Sequence, residues 1–373
     1  MKKFIAKIAC FCAVFIGTSC FSAEVPTVKN EDIPTVKATF LLEHEGFLIW
    51  YAEKQGWNKK LGFNLELSLN KYNGLAILNQ YRNETNAWDI CCTGFVPFIM
   101  SGKDVNVEVI AVANNESAAN SLVVHSDSDI LKVKGYNKYF PEVYGSPETI
   151  KGKTFAVKGL SSGVFTLARW LDIFGLELSD IKLVNLTHSD IIDDLKKNQY
   201  SGAALWSPNL NDAIAMGYKE VVTAEQLGEA LPCTIKVDEK FGNSNPELVA
   251  KFLAMYFKAV QVQVDNIESL VDEYQNFYKQ YIGMEYSKAE CLEDLKKHRV
   301  TPLNEQIELF KHNGNRRSWI QNLERDLTSN TLLMLKSMDS KDIQISNRIK
   351  SQKYINNTYI EMTKKYFDEL NSL

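Results

Sequence analysis

The spacing of hydrophobic and polar positions changes character along this chain. Thr35 to Leu42 is an apolar-leaning run of strand length, and Phe63 to Leu67 alternates with a period of two. Trp88 to Cys92 and Val107 to Ala113 are two further strand-like runs. Helical periodicity appears between them, at Phe47 to Gln55, closed by Gly56, and at Leu75 to Tyr81. His44-Glu45-Gly46 reads as a turn. Strand and helix in alternation predict an α/β lobe built on a mainly parallel sheet.

The cycle then repeats. Ser121 to His125, Thr154 to Val157, Ile181 to Asn185 and Ala203 to Trp206 read as strands. Helices are expected at Pro147 to Ile150, behind the cap residue Ser146, at Val164 to Phe174 and at Ser189 to Lys197. From Asn245 onward strands almost vanish. Asn245-Pro246 launches a helix through Val262, and polar helical stretches follow at Ile267 to Tyr281, Leu303 to Lys311, Ser318 to Ser337 and Ile355 to Leu370. Helices this polar need another surface to pack on, as completion of the first lobe or as an outer cap.

Composition narrows the class. With 373 residues, 45% hydrophobic and 24% charged, the chain has the make-up of a globular protein and exceeds one ordinary core, so two lobes are expected. Net charge is -4 and no basic stripe is visible, which gives no reason to expect nucleic acid. The first residues read as an export signal: Lys2, Lys3 and Lys7, an apolar stretch from Ile8 to Ile16, then small Gly17, Thr18 and Ser19. That stretch is too short to span a bilayer comfortably. Cleavage after Ser22 gives a signal peptide of residues 1–22; cleavage before Cys20 instead makes that cysteine a lipid attachment point. Seven cysteines are present. Adjacent Cys91 and Cys92 will seldom bridge each other, because vicinal geometry is strained; a bridge from one of them to Cys233 is left open. The five histidines are scattered without zinc spacing, and nothing asks for a cofactor or metal.

Four stretches carry a family likeness. The first is His44-Glu45-Gly46-Phe47 through Gln55-Gly56-Trp57 to Leu61-Gly62-Phe63. The second is Trp88-Asp89-Ile90-Cys91-Cys92-Thr93-Gly94-Phe95-Val96-Pro97. The third is Ile150-Lys151-Gly152-Lys153-Thr154-Phe155-Ala156-Val157 with Ser161-Ser162-Gly163, and the fourth is Gly202-Ala203-Ala204-Leu205-Trp206-Ser207-Pro208. In order and spacing over about residues 35 to 225 the chain resembles the periplasmic substrate-binding proteins of ABC importers. The class in question includes the nitrate, sulfonate, taurine and thiamine-precursor binding proteins. The resemblance implies an α/β, two-lobed periplasmic-binding-protein fold with a central ligand cleft and an extended helical C-terminal region. Lobe one is expected at 35–120 plus 222–290, lobe two at 121–221 and the extension at 291–373. It also implies a non-enzymatic, monomeric protein outside the inner membrane, peripheral to it, that hands a small molecule to an ABC permease. A ligand-sensing or interaction role on the same fold is one alternative. A thiamine-precursor synthase-like enzyme is another, and the export signal argues against it.

Loops at the carboxyl ends of parallel strands, where helix N-termini point, are where ligand should sit. They supply the candidate ligand-binding residues Glu45, Phe47, Thr93, Gly94, Phe95, Glu116, Ser161, Ser162 and Trp206. Glu43, Glu45 and Glu116 fall near the expected cleft, Lys158 is the nearest cation, and no arginine is close. Carboxylates beside Phe47, Phe95 and Trp206 suit an amine or a planar nitrogenous ring better than an oxyanion, which prefers an arginine partner.

Overall fold

The computed structural model describes residues 33–101, 105–312, 314, 316–337 and 353–372. The expected signal peptide and Cys20 lie outside the described residues. The chain opens with β1 (Thr35–Leu41), α1 (His44–Lys54), α2 (Trp57–Lys60), β2 (Asn64–Asn70), α3 (Gly74–Asn83), β3 (Ile90–Gly94), α4 (Phe95–Ser101) and β4 (Val107–Asn115). It crosses into β5 (Asn120–Val124), α5 (Pro147–Ile150), β6 (Thr154–Val157), α6 (Ser162–Asp172), β7 (Lys182–Asn185), α7 (His188–Leu195), β8 (Gly202–Trp206), α8 (Asn209–Ala215) and β9 (Lys219–Thr223). It returns through β10 (Pro232–Asp238) to α9 (Glu239–Ser244) and α10 (Pro246–Asp265). Five more helices follow: α11 (Val271–Ile282), α12 (Lys288–Lys297), α13 (Leu303–Phe310), α14 (Trp319–Ser337) and α15 (Thr358–Ser372).

Two five-stranded sheets result, ordered β2-β1-β3-β10-β4 and β7-β6-β8-β5-β9. Both are mixed, where alternation alone predicts mainly parallel sheets. β10 runs antiparallel to β3 and β4, and β5 antiparallel to β8 and β9. The reason is topological. Each is the first strand after a crossing, so it enters its sheet from the side facing the other sheet. The parallel strands of that sheet end on the same side.

Local differences from the sequence reading have equally local causes. α1 starts at His44, three residues before the expected Phe47, because Gly46 lets the first helical turn close against β1. A Cβ there would sit 2.0 Å from the Leu41 carbonyl oxygen. β3 starts at Ile90, since Trp88 turns its indole onto α3 and donates from Nε1 to the Ile77 carbonyl at 3.3 Å. The short helices α4, α8 and α12 have no clear periodic signal in sequence.

The late helices are integral to the first sheet. α10 packs against α1 and α15. The outer edge of β4 is satisfied by C-terminal residues at three points. Val109 donates to the Tyr354 carbonyl at 2.7 Å and accepts from the Asn356 amide at 3.0 Å. The Gln306 side chain accepts from the Val112 amide at 3.0 Å and donates to its carbonyl at 2.7 Å. Asn115 exchanges backbone bonds with Arg299 at 2.7 and 3.2 Å. Covering an edge in this way removes a template for strand addition.

Candidate functional site

Where the chain crosses between sheets, the carboxyl ends of β1, β3 and β4 face those of β6, β7 and β8. β1 delivers Glu43, which caps α1 in an extended conformation and places His44 and Glu45 in the first turn. β3 delivers Gly94, and the crossing after β4 delivers Glu116. β6 delivers Lys158 and the loop to Ser161 and Ser162 at the start of α6, and β8 delivers Trp206.

An inner chamber of about 20 Å3 lies at this junction, room for about one water. Glu43, Gly94, Glu116, Lys158, Ser161, Ser162, Trp206 and Cys233 all line it. Five of the nine sequence candidates, Gly94, Glu116, Ser161, Ser162 and Trp206, therefore meet on one small cavity. The Trp206 indole N–H donates to Glu43 Oε1 at 2.7 Å, a bond from the second sheet to the first. Asn120 donates to the Ser162 hydroxyl at 2.8 Å, and Ser162 in turn hydrogen-bonds Glu116. The Cys233 thiol donates to Glu116 Oε2 at 3.6 Å.

The other four candidates stand behind or away from this cavity. Glu45 is buried beneath it; Asn114 hydrogen-bonds its carboxyl, while Oε1 has no partner. Thr93 is used by a buried lysine: Lys236 Nζ donates to the Thr93 hydroxyl at 2.9 Å and the Thr234 hydroxyl at 2.7 Å. In the antiparallel pairing, Thr93 and Thr234 share one sheet face, while Gly94 and Cys233 share the other. Phe47 packs in the core against Trp50, Tyr51, Tyr274 and Phe277. Phe95 is buried beside Phe98.

Three glutamates converge, and their hydrogen bonds and buried Lys236 offset the resulting rise in pKa only in part. Burial lifts the Glu43 carboxyl well above the ordinary range, and neighbouring Glu45 and Glu116 lift it further. Burial and Glu116 push Glu45 up to about 8. Burial raises Glu116 as well, with His298, Ser162 and Cys233 opposing. The floor is a neutral hydrogen-bonded chain. His44 Nδ1 accepts from Asn114 at 2.9 Å, which assigns the ring proton to Nε2, 2.8 Å from Gln263 Oε1. Burial drives the His44 pKa down, which matches an uncharged ring. His298 stacks on it with centroids 4.7 Å apart.

A second, outer cavity of about 440 Å3 adjoins the first and shares Glu43, Asn73 and Lys158 with it. His188, Asn209 and Met284 also line it. Sequence reading passed over His188, Cys233 and Asn73. His188 follows β7 at the start of a helix, the position that marked the other loops, and was findable by the same rule. Cys233 was not, because an antiparallel crossing strand brings its first residues to the cleft rather than its last.

Residues 40–269 match the NMT1-like family model, more than half of the chain. The chain belongs to the NMT1-like family. Over 276 residues this NMT1-like chain is 25% identical to a protein of Brachyspira hyodysenteriae named as an ABC transporter periplasmic binding protein, covering 74% of this chain and 78% of that one. The taurine-binding periplasmic protein of Escherichia coli is 24% identical over 48% of this chain and 52% of its own length. Among solved structures, the alkanesulfonate-binding protein of Xanthomonas axonopodis pv. citri superposes with a TM-score of 0.64 at 13% identity, covering 84% of this chain and 97% of the other. The periplasmic nitrate-binding protein of Synechocystis PCC 6803 gives 0.60 at 11% identity, covering 92% and 90%. The two-lobed periplasmic-binding-protein fold read from sequence is thereby established, as is the class. This is an extracytoplasmic solute-binding protein of the ABC-importer type. Its partners are a small solute and an import permease.

Proposed function

We propose that this binding protein captures a small organic solute bearing a protonated nitrogen or several N–H donors, a pyrimidine-like amine being one such molecule. One observation carries the reading: half-buried Glu43 and buried Glu116 line a single small chamber, Glu45 is buried beneath it, and among the described residues Lys158 is the one basic side chain that lines it. Among the described residues no group of three or more His, Cys, Asp or Glu side chains is placed to hold a metal ion. A cationic solute adds positive charge beside carboxyls that Lys158 and buried Lys236 offset only in part. At about 4 Å, a pair of opposite charges in a half-buried site gains on the order of 4 kcal/mol, enough to ionise a carboxyl that desolvation keeps protonated. The relatives named for taurine, alkanesulfonate and nitrate bind anions or zwitterions, whereas the carboxyls gathered at this chamber favour a cation.

A thermal-shift panel of protonated amines, aminopyrimidines and alkanesulfonates tests the reading, alongside native mass spectrometry of any solute that co-purifies. Amines or aminopyrimidines should raise the melting temperature. Stabilisation by sulfonates alone would sink the proposal. The same reading has the protein act as a monomer held at the membrane surface, with Cys20 as the anchoring position when it is lipidated. Palmitate incorporation that disappears in Cys20→Ala checks the anchor.

A further inference from the structure

The chamber that gathers the carboxyls has room for about one water, whereas the adjoining outer cavity has the volume of a small-solute site. One side chain stands between them. Trp206 lines the inner chamber, and its N–H ends on Glu43, which lines both. On its outer side the indole rests against the His188 ring, with centroids 3.8 Å apart and planes at 61°. On its inner side it lies over the start of α6, where a Cβ on Gly163 would meet its Cζ3 at 3.5 Å.

His188 is built as a passive wall. Its Nδ1 lies 3.2 Å from the Asn209 side-chain amide, and its buried Nε2 has no partner. Burial, and then Lys158, push its pKa down to about 3, so the ring that faces Trp206 is uncharged. The indole is thus wedged by apolar contact on two sides and tied by a single hydrogen bond. A wedge tied at one point can swing when that point is taken by something else.

We infer that Trp206 is a gate between the outer cavity and the carboxyl chamber, latched by Glu43, and that an arriving solute opens it by replacing the indole N–H as the donor to Glu43. The inference rests on the proposed reading only for the nature of that donor. Opening would merge the two cavities along their shared lining of Glu43, Asn73 and Lys158, and let a solute too large for the closed chamber reach Glu116.

Cys233 reports on the gate without any solute. It lines the chamber behind Trp206, whereas Cys91 is buried on the opposite face of the sheet. The full-length protein is treated with 2-aminoethyl methanethiosulfonate and, separately, with 2-sulfonatoethyl methanethiosulfonate. Each reagent joins its sulfur to the cysteine thiolate as a disulfide and releases methanesulfinate; the thiol proton goes to solvent. Peptide mass mapping gives the rate at each cysteine. Trp206→Phe keeps the ring and loses the N–H; Glu43→Ala removes the acceptor. Each should speed labelling of Cys233 about tenfold, the factor set by one ordinary hydrogen bond, while Cys91 stays slow. An unchanged Cys233 rate in both variants overturns the gate. So does equal acceleration at Cys91 and Cys233, which would mean the sheet had opened rather than the gate. The reagent pair answers a separate question. Faster entry of the cationic reagent into either variant upholds the carboxyl-chamber reading, and faster entry of the anionic one sinks that reading while leaving the gate in place.

Discussion

Glu45 is buried with one carboxyl oxygen unpartnered, close to two other glutamates and to His44. Its carboxyl titrates near 8 when folded, against 4.5 as a free side chain. The folded protein therefore binds more protons than the unfolded chain between those values. The stability this group contributes is fully present below about pH 4.5 and is lost as pH rises through about 8. Glu45→Gln removes that titration. Its melting temperature, measured from pH 5 to pH 8.5, should fall less with rising pH than that of the parent. Parallel curves would show that Glu45 is ionised throughout. A bound amine should act in the same direction as the mutation, because it holds the carboxyl ionised at no cost in protons above pH 8. Proton release on solute binding, read by calorimetry in two buffers of different ionisation enthalpy, should fall in Glu45→Gln.

Element-scale consequences centre on β4 and on the strands that cross. Gln306 on α13 gives both hydrogen bonds that the outer side of Val112 needs. Gln306→Leu keeps an apolar body of similar size but leaves a buried N–H and C=O unpaired, a loss of about 1–3 kcal/mol for each unsatisfied group. Neighbouring Glu305 is exposed, and Glu305→Ala should stay within about 0.5 kcal/mol. Urea titrations of the two variants check the contrast; equal midpoints would mean that water replaces Gln306 at the strand edge. Such contacts explain what was legible in the sequence. β1, β6 and β8 announced themselves by apolar runs, α10 by its proline start, and the cleft loops by their place after strands. The antiparallel direction of β5 and β10 left no trace, because period-two alternation is the same in either direction. Phe47 read as a cleft aromatic for a related reason. Its neighbours in sequence face the site, but a helical turn carries its ring to Tyr274 and Phe277, some 230 residues on in the chain.

At the scale of the whole molecule, the C-terminal helices decide how freely the two sheets can move. They complete the first sheet through Val109, Val112 and Asn115, and they also reach the second. Tyr286 donates to Asp212 at 3.3 Å, Arg299 pairs with Glu225 at 2.7 Å, and α14 packs on both α4 and α6. Hinge closure around a solute thus has to carry these helices along or slide past them. Arg299–Glu225 is an exposed pair and holds little by itself. The larger share comes from apolar packing. α15 buries Tyr359, Ile360, Tyr366 and Leu370 against α10 and the β4 edge, and Tyr359 lies so close to Gly242 that a Cβ there would meet its hydroxyl at 2.5 Å. A chain ended at Ser337 loses this surface and the Tyr354 and Asn356 backbone bonds to Val109 at once. Four buried side chains at about 1.5–3 kcal/mol each amount to a sizeable part of a domain's whole stability. The truncated protein should therefore aggregate, or melt more than 10 °C below the full chain, in differential scanning calorimetry. A truncated protein that melts like the parent would make these helices a detachable cap, and their role would then lie outside the fold.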